Sequence, residues 1–307
     1  MSDTRQTIAV VGLGAIGGIL AGCLRAADRH NVVACVRTPV SRIVVERPED
    51  RVDLSLEAVT DPAQASVVDW VLLCTKAQQS ASTAAWLARL CGPNTRVATM
   101  QNGMGHAERL APFVGGAKVV PAIVYFNGER FAPDHMRFRR AGAYELALGD
   151  DADSRDLCDL LASTPLRVHA SPDFHTLVWR KLLINAVANP VTALTVQRQA
   201  VFRRPDIAAL CLSVLDEAVA VGLADGAQFA PDEAARTMAT MLTYPPEAGT
   251  SMYFDRIADK ALEIDAITGF IVATGERLGV PTPLNRAMLT LLRAVSDASV
   301  QNNLGAQ

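Results

Sequence analysis

The feature that most constrains the fold is the stretch TIAVVGLGAIGG near the amino terminus, where a β-branched run leads directly into closely spaced glycines. Gly12, Gly14 and Gly17 follow the GxGxxG spacing, and a helical pattern runs from about Ala15 to Ala27. Such glycines permit a tight turn and let backbone N–H groups approach a phosphate at the positive end of a helix. Because strand, motif, helix and next strand follow in order, we favour a dinucleotide site over a simple connecting turn. The predicted contacts in this turn are Gly12, Gly14, Ala15, Ile16 and Gly17.

Short apolar runs alternate with helical patterns through the first half of the chain. NVVACVR, VVDWVLLCTK, TRVATMQNG and AKVVPAIVYF are the runs that follow the first strand. Continuous apolar strands between helices indicate a mainly parallel sheet that is covered on both faces. We expect later strands near 136–148 and 166–169 to add an antiparallel edge to this sheet.

The second half of the chain has a different pattern. After about residue 170 the strand signal stops, and apolar residues recur at helical spacing between prolines. The expected helices are 174–199, 205–223, 231–243, 252–278 and 284–300. We therefore predict an α/β Rossmann-type N-terminal domain over residues 1–170 and an all-α C-terminal domain over residues 171–307.

Composition excludes several classes of function. A net charge of -3 and a pI near 6.0 provide no basic surface for nucleic acid. The polar start MSDTRQT lacks the features of a signal peptide, and no stretch reaches about 18 uninterrupted apolar residues. We expect a cytoplasmic protein with no membrane partner. The six cysteines and five histidines show no metal-like spacing, so we predict no metal site.

Cations and an asparagine follow the predicted strands. The position that is usually acidic in NAD sites is occupied here by Arg37, in ACVRTP, and a guanidinium suits a 2′-phosphate. We therefore predict NADP(H), with a solvated loop arginine as the alternative. Lys76 and Asn102 follow two further strands, at the sheet edge where α/β folds bind ligands. Taken alone, Lys76 is equally consistent with a solvated lysine, and Asn102 before Gly103 favours a turn former.

A polar stripe crosses an otherwise apolar helix in WRKLLINAVANPVTAL. Lys181, Asn185 and Asn189 recur every fourth residue and therefore share one helix face. A solvated face would favour long charged side chains, and asparagine is a poor helix former. We interpret the stripe as the wall of a polar cleft, with the neighbouring Arg180 on the solvated side.

A later helical segment, TSMYFDRIADKALEIDAITGF, offers a serine and several acids. Ser251 could supply a hydroxyl to an anionic ligand or cap the helix. Charged positions of this kind are usually solvated, and spacing alone gives Glu263 no special role.

Together, GLGAIGG, CTKA, QNGMG, WRKLLINAVANPVTAL and the later segment resemble the ketopantoate reductase (2-dehydropantoate 2-reductase) family in order and approximate spacing. The resemblance covers nearly the whole chain, and its two helical segments are more specific than the glycine motif. It implies NADPH-dependent reduction of ketopantoate to pantoate, a step of pantothenate biosynthesis, in a cleft between the domains.

The resemblance also implies roles for single residues. Lys181 would be the general acid and Glu263 its partner at the substrate hydroxyl. Arg37 and Lys76 would lie near the cofactor, as would Asn102. The implied substrate contacts are Asn102, Asn185, Asn189 and Ser251. A lysine held partly out of water would also have a lowered pKa, which eases proton transfer near neutral pH.

Two positions depart from the family pattern. Leu262 stands where threonine is common before the glutamate, and Thr268 stands where asparagine is common before the glycine. They leave the reaction machinery in place but open the choice of substrate. A paralogue that reduces another 2-oxo acid and a non-catalytic NADP(H)-binding redox sensor are the alternatives. The oligomeric state also stays open, with a homodimer as one option.

Overall fold

The structure, a computed structural model, describes residues 5–305, which form two compact units. The first unit contains the residues up to Gln101 together with Gly105–Phe174, and the second contains Asn102–Met104 and the residues from His175 onward. The domain limits 1–170 and 171–307 stay a prediction. Residues 1–4, where the polar N-terminal stretch begins, lie outside the described residues, as do 306 and 307.

Strands dominate the first unit, and the second unit is helical. The strands are β1 (Thr7–Val11), β2 (Asn31–Cys35), β3 (Arg42–Glu46), β4 (Arg51–Ser55), β5 (Glu57–Val59), β6 (Trp70–Leu73), β7 (Arg96–Thr99), β8 (Lys118–Pro121), β9 (Ile123–Val124), β10 (Asn127–Ala132), β11 (His135–Arg139), β12 (Leu146–Gly149) and β13 (Val168–Ser171). The α-helices are α1 (Ala15–Ala27), α2 (Ala84–Leu90), α3 (His106–Leu110), α4 (Ala152–Leu161), α5 (Phe174–Thr195), α6 (Pro205–Ala224), α7 (Glu233–Leu242), α8 (Ser251–Ile257), α9 (Phe270–Leu278) and α10 (Pro283–Gly305). Short 3-10 helices span Pro62–Gln64, Ala77–Thr83 and Gln199–Arg203, and a π-helix spans Asp265–Gly269.

The predicted parallel sheet is confirmed. Six strands pair in the order β5-β2-β1-β6-β7-β8, and every pair is parallel. Alternate residues of β1 enter two apolar clusters. Ile8 shares one cluster with Ile19 of α1, and Ala9 shares the other with Leu87 of α2. Because both faces of the sheet are buried, its inner strands are mainly apolar, with polar residues such as Asn31 and Arg96 at their ends.

The expected antiparallel edge on this sheet is wrong. The later strands form two separate sheets, ordered β10-β11-β3-β4 and β13-β12-β9. The four-stranded sheet packs on α1 at two glycines, since a Cβ on Gly18 would lie 2.3 Å from Met136 and one on Gly22 would lie 2.4 Å from Val45. The four-stranded sheet therefore packs closely against the face of α1 on which these two glycines lie.

The second unit has its own apolar core, which confirms the predicted helical second half. Trp179 of α5, Leu215 of α6 and Ile267 of the π-helix are fully buried in it. Asp225, at the end of α6, accepts hydrogen bonds from Trp179 Nε1 (3.1 Å) and Arg277 Nη2 (2.8 Å). This carboxylate ties three helices together beside the core.

The expected continuous helix over 252–278 is wrong. After α8 the backbone turns at Asp259, whose φ is +47°, and regular structure resumes only at the π-helix. Between them the N–H of Leu262 donates to Ser296 Oγ of α10, at 3.0 Å. Tertiary contacts therefore override a sequence of good helix formers.

Helix α6 has the length and composition of a membrane span, with a mean hydropathy of 2.0. Its buried face supplies Cys211, Leu215 and Ala218 to the apolar core. Its Glu217 accepts a hydrogen bond from the backbone N–H of Asn285 in the first turn of α10, at 3.0 Å. We interpret α6 as a core helix of the second unit.

Candidate active site

The glycine turn follows β1 directly. Gly12 has a φ of +93°, which glycine adopts readily, and its N–H donates to the carbonyl of Cys35 at 3.1 Å. A Cβ on Gly17 would lie 2.0 Å from the carbonyl oxygen of Gly12. The backbone of the turn therefore requires glycine at both positions.

Gly14 serves a different purpose. A Cβ there would meet nothing within 4 Å, so packing does not explain the glycine. Gly14 is the N-cap of α1, which has neither a side-chain cap nor an acidic residue in its first turn. The first N–H groups of α1, including those of Ala15 and Ile16, have no acceptor within the helix. A bare positive helix end beside open space fits the pyrophosphate of a dinucleotide.

Two cations lie near the same sheet edge. Val11 of β1 pairs with Cys35 of β2 and Leu73 of β6, so the three strands end together. Arg37 is exposed two residues beyond β2, and Lys76 caps the 3-10 helix that follows β6. No carboxylate in residues 5–305 forms an ion pair with Arg37. Strand order reverses at β1, which is where open α/β sheets bind ligands.

The polar stripe becomes more buried along α5. Lys181 is half-buried, whereas Asn185 is 9% exposed and Asn189 is 4% exposed. Arg180, expected on the solvated side, has an exposed side chain whose Nε donates to Glu233 at 2.8 Å. The helix thus separates a charged outer side from an inner polar face.

The chemistry of this face is set by removal of water. Burial lowers the pKa of Lys181 from 10.5 to about 8, because desolvation disfavours the ammonium form. The buried Nδ2 of Asn185 has no hydrogen-bond partner among the described residues. An unmade buried donor costs about 1–3 kcal/mol, so the oxygen of a ligand would be held here. The face can therefore both orient an oxygen and protonate it.

Glu263 lies in the irregular segment between α8 and the π-helix. Glu263 is 3% exposed, and its carboxylate oxygen Oε2 accepts a hydrogen bond from Asn102 Nδ2 at 3.1 Å. Asn102 follows β7 in sequence but belongs to the second unit. The structure therefore brings together two of the residues implied by the resemblance.

Ser251 is the first residue of α8 and is exposed. It does not cap the helix, because the N-cap is Thr250, whose hydroxyl accepts from the N–H of Tyr253 at 3.0 Å. Thr250 also shares a hydrogen bond of 2.7 Å with the hydroxyl of Thr192 on α5. The capping alternative for Ser251 is therefore wrong, and its hydroxyl is left for other contacts.

Both departures from the family pattern are buried. Leu262 packs in the apolar core at 3% exposure. Thr268 is fully buried, and its hydroxyl has no hydrogen-bond partner among the described residues. Neither position places a charged side chain in the interior of the second unit.

Three residues with close contacts had no functional signal in the sequence, namely Thr75, Gly103 and Met104. The γ-methyl of Thr75 would lie 2.8 Å from a Cβ on Gly12, and the Thr75 hydroxyl is buried with no partner in the described part of the chain. The backbone from Gly103 to Met104 lies against Ala266. A threonine or an Asn-Gly turn after a strand is too common to signal such contacts.

Family models cover both units. The model described as ketopantoate reductase PanE/ApbA matches residues 8–151, and the one described as its C terminal matches residues 173–296.

Individual relatives indicate the same family. A 2-dehydropantoate 2-reductase of Caulobacter vibrioides is 38% identical over 293 residues, which cover 94% of this chain and 99% of the relative. The crystal structure of a PanE/ApbA family ketopantoate reductase from Ralstonia eutropha JMP134 is 28% identical, with a TM-score of 0.86 over 95% of this chain and 99% of that one. A ketopantoate reductase from Staphylococcus aureus, described as dimeric, is 26% identical, with a TM-score of 0.84 over 95% of this chain and 99% of that one. The chain therefore belongs to the ketopantoate reductase family of oxidoreductases.

Proposed function

We propose that this protein reduces 2-dehydropantoate (ketopantoate) to pantoate with NADPH, as a step of pantothenate biosynthesis. The name of the Caulobacter relative, 38% identical over nearly its full length, supports this substrate. The observation that carries the proposal is the inner face of α5. There a lysine with a pKa of about 8 shares a face with Asn185, whose buried amide donor is unbonded.

Lys181 acts as the general acid. When bound, NADPH would supply a hydride to the keto carbon, which would leave negative charge on the keto oxygen. The Lys181 ammonium stabilises that charge by hydrogen bonding and donates its proton to the oxygen. Because burial favours the neutral amine, Lys181 gives up the proton more readily than an exposed lysine. It is recharged by a proton from solvent after each turnover.

The polar residues around Lys181 orient the 2-oxo acid. Asn185 and Asn189 donate to substrate oxygens, and the carboxylate of Glu263 accepts from the substrate hydroxyl. Asn102 contributes a further amide, and the exposed hydroxyl of Ser251 donates to the substrate carboxylate. Held in this way, the keto group meets the proton donor in one orientation, which lowers the entropic cost of the reaction.

The cofactor is assigned to NADP(H) on the basis of Arg37. The glycine turn, from Gly12 to Gly17, would hold the pyrophosphate through backbone N–H groups. The exposed Arg37 side chain, with no carboxylate partner in residues 5–305, would pair with the 2′-phosphate. Lys76 adds positive charge near the same strand ends.

The decisive experiment is a panel of 2-oxo acids, including ketopantoate, assayed by NADPH consumption. We expect ketopantoate to give the highest kcat/KM and Lys181→Ala to lower it by about 100-fold or more. Lys260→Ala, at an exposed lysine of the same unit, is the matched control and should keep the parental rate. If no 2-oxo acid is reduced, the chain is better described as an NADP(H)-binding redox sensor.

Reduction of a different 2-oxo acid is the second candidate. It is favoured by Leu262 and Thr268, which are both buried and depart from the pattern that the family resemblance implies. On this alternative, another branched 2-oxo acid in the panel has a higher kcat/KM than ketopantoate. Thr268→Asn would then shift the ratio of the two kcat/KM values towards ketopantoate.

We also propose a cytoplasmic homodimer. Helix α6 keeps Leu210 and Leu223 exposed, and the Staphylococcus aureus relative is described as dimeric. Burying these leucines against a second copy would remove apolar surface from water. Light scattering should then report a dimer for the parent and a monomer for Leu210→Glu. A monomeric parent would contradict the proposal.

A further inference from the structure

The segment Asn102–Met104 makes three close contacts within the second unit. Asn102 Nδ2 donates to Glu263 Oε2 at 3.1 Å, and the N–H of Met104 donates to the carbonyl of Ala266, also at 3.1 Å. The side chain of Met104 packs against the apolar core of this unit. The segment is therefore anchored on both sides of Gly103.

Gly103 allows this anchoring by having no side chain. A Cβ at this position would lie 1.9 Å from the carbonyl oxygen of Ala266 and 2.5 Å from its carbonyl carbon. Both atoms are backbone, so no side-chain rotation would relieve the overlap. The φ of Gly103 is +84°, which further disfavours any other residue. Close approach of two backbones here depends on glycine.

The partner of Gly103 is the π-helix that follows Glu263. Ala266 is its second residue, three positions after the glutamate. Short π-helical segments are rare and occur often at functional sites. The position of the segment on Ala266 therefore fixes how Asn102 meets the carboxylate.

We propose that Gly103 is a positioning residue for the reduction, which holds the Asn102 amide on the Glu263 carboxylate by docking the segment on Ala266. The inference rests on the proposed function, because it assigns Glu263 to the substrate. Gly103 itself touches neither substrate nor cofactor in this account. It acts through Asn102, which orients the carboxylate that receives the substrate hydroxyl.

Gly103→Ala tests the proposal, with Gly226→Ala as the matched control. Gly226 lies in the same unit and has a φ of +96°, but a Cβ there would meet nothing within 4 Å. The control therefore carries the backbone strain without the overlap. At saturating NADPH we expect Gly103→Ala to raise KM for the 2-oxo acid by about tenfold or more, whereas Gly226→Ala leaves it unchanged. A purely structural loss of folded enzyme would lower kcat and leave KM at the parental value, which would overturn the proposal.

Asn102→Ala provides a second test of the positioning role. It adds no atom, so it avoids the overlap and should raise the same KM. In an Asn102→Ala background, Gly103→Ala should cost less than about threefold in kcat/KM, because no amide remains to be held. An equal cost in both backgrounds, or a parental KM in Asn102→Ala, would overturn the positioning role.

Hydrogen exchange separates this inference from the proposed function. The Met104 amide should be protected in the parent and in Gly226→Ala, and should exchange faster in Gly103→Ala. If exchange behaves in this way but no 2-oxo acid is reduced by the parent, the docking is real and the proposed function is wrong. Equal exchange in all three proteins would show that Gly103 does not control the docking.

Discussion

The lowered pKa of Lys181 predicts a pH dependence that an ordinary lysine would not give. Burial moves this pKa from 10.5 to about 8. At about pH 7 some nine-tenths of the side chains then carry the proton, and at about pH 9 only about one-tenth do. Since kcat/KM reports ionisations of the free enzyme, it should fall about tenfold for each pH unit above about 8. With an ordinary lysine it would stay constant to about pH 10.

The assay measures initial rates of NADPH oxidation at limiting 2-oxo acid across this pH range. Lys181→Arg is the informative variant, because a guanidinium has a pKa above about 12 and stays charged throughout. Its lower kcat/KM should show no decline near pH 8, and the surface variant Lys260→Arg should follow the parent. A parental kcat/KM that is flat to about pH 10 would refute the reasoning from burial to proton transfer.

Four further substitutions test the glycine turn, the cofactor assignment and the burial of Lys181. Gly17→Ala places a Cβ 2.0 Å from a carbonyl oxygen and should lower the melting temperature, whereas Gly14→Ala meets no atom within 4 Å, should keep the parental melting temperature and should weaken NADPH binding in fluorescence titrations. Arg37→Asp should raise KM for NADPH by about tenfold or more and leave KM for NADH unchanged, because it replaces a charge-assisted partner of the 2′-phosphate with a like charge. Arg51→Asp, at another exposed arginine, is the control. If Arg37→Asp leaves the ratio of the two KM values unchanged, Arg37 does not select NADPH. Lys181→Met should raise the free energy of unfolding by up to about 3 kcal/mol at neutral pH in denaturant unfolding, because below about pH 8 the folded protein must bury a charged lysine. This increase should become smaller as the pH rises from about 8 and should vanish above about 10.5. An increase of the same size at every pH would contradict the lowered pKa of Lys181.

The parallel sheet and the helical second half were predictable because their signals are local. The first helix begins and ends at Ala15 and Ala27, as the glycine motif and the apolar pattern indicated. Strands buried on both faces are mainly apolar, and this can be read from the sequence without knowing their partners. Elements whose character is set by their own residues are therefore recovered from the sequence.

Pairing between distant strands could not be predicted in the same way. His135 of β11 lies opposite Val44 of β3 in a parallel pair, more than 90 residues away along the chain. Nothing in the two short segments specifies that register, which depends on both sheets packing around α1. The predicted placement of these strands at the edge of the parallel sheet was therefore wrong.

The residues of the candidate site also differ in whether the sequence alone indicates them. Regular spacing on α5 marked Lys181, Asn185 and Asn189, because a helix face is a local property. Glu263 had no such signal and entered only through the family resemblance. Its contact with Asn102 depends on a break in the expected helix and on close backbone packing at Gly103, which only the folded chain displays.

A crystal structure of the ternary complex with NADP+ and pantoate would show directly whether Lys181 is the proton donor. We expect Lys181 Nζ to lie within about 3 Å of the pantoate hydroxyl oxygen, and that oxygen to lie also near the Glu263 carboxylate. A structure in which Nζ points into solvent while another group contacts that oxygen would contradict it.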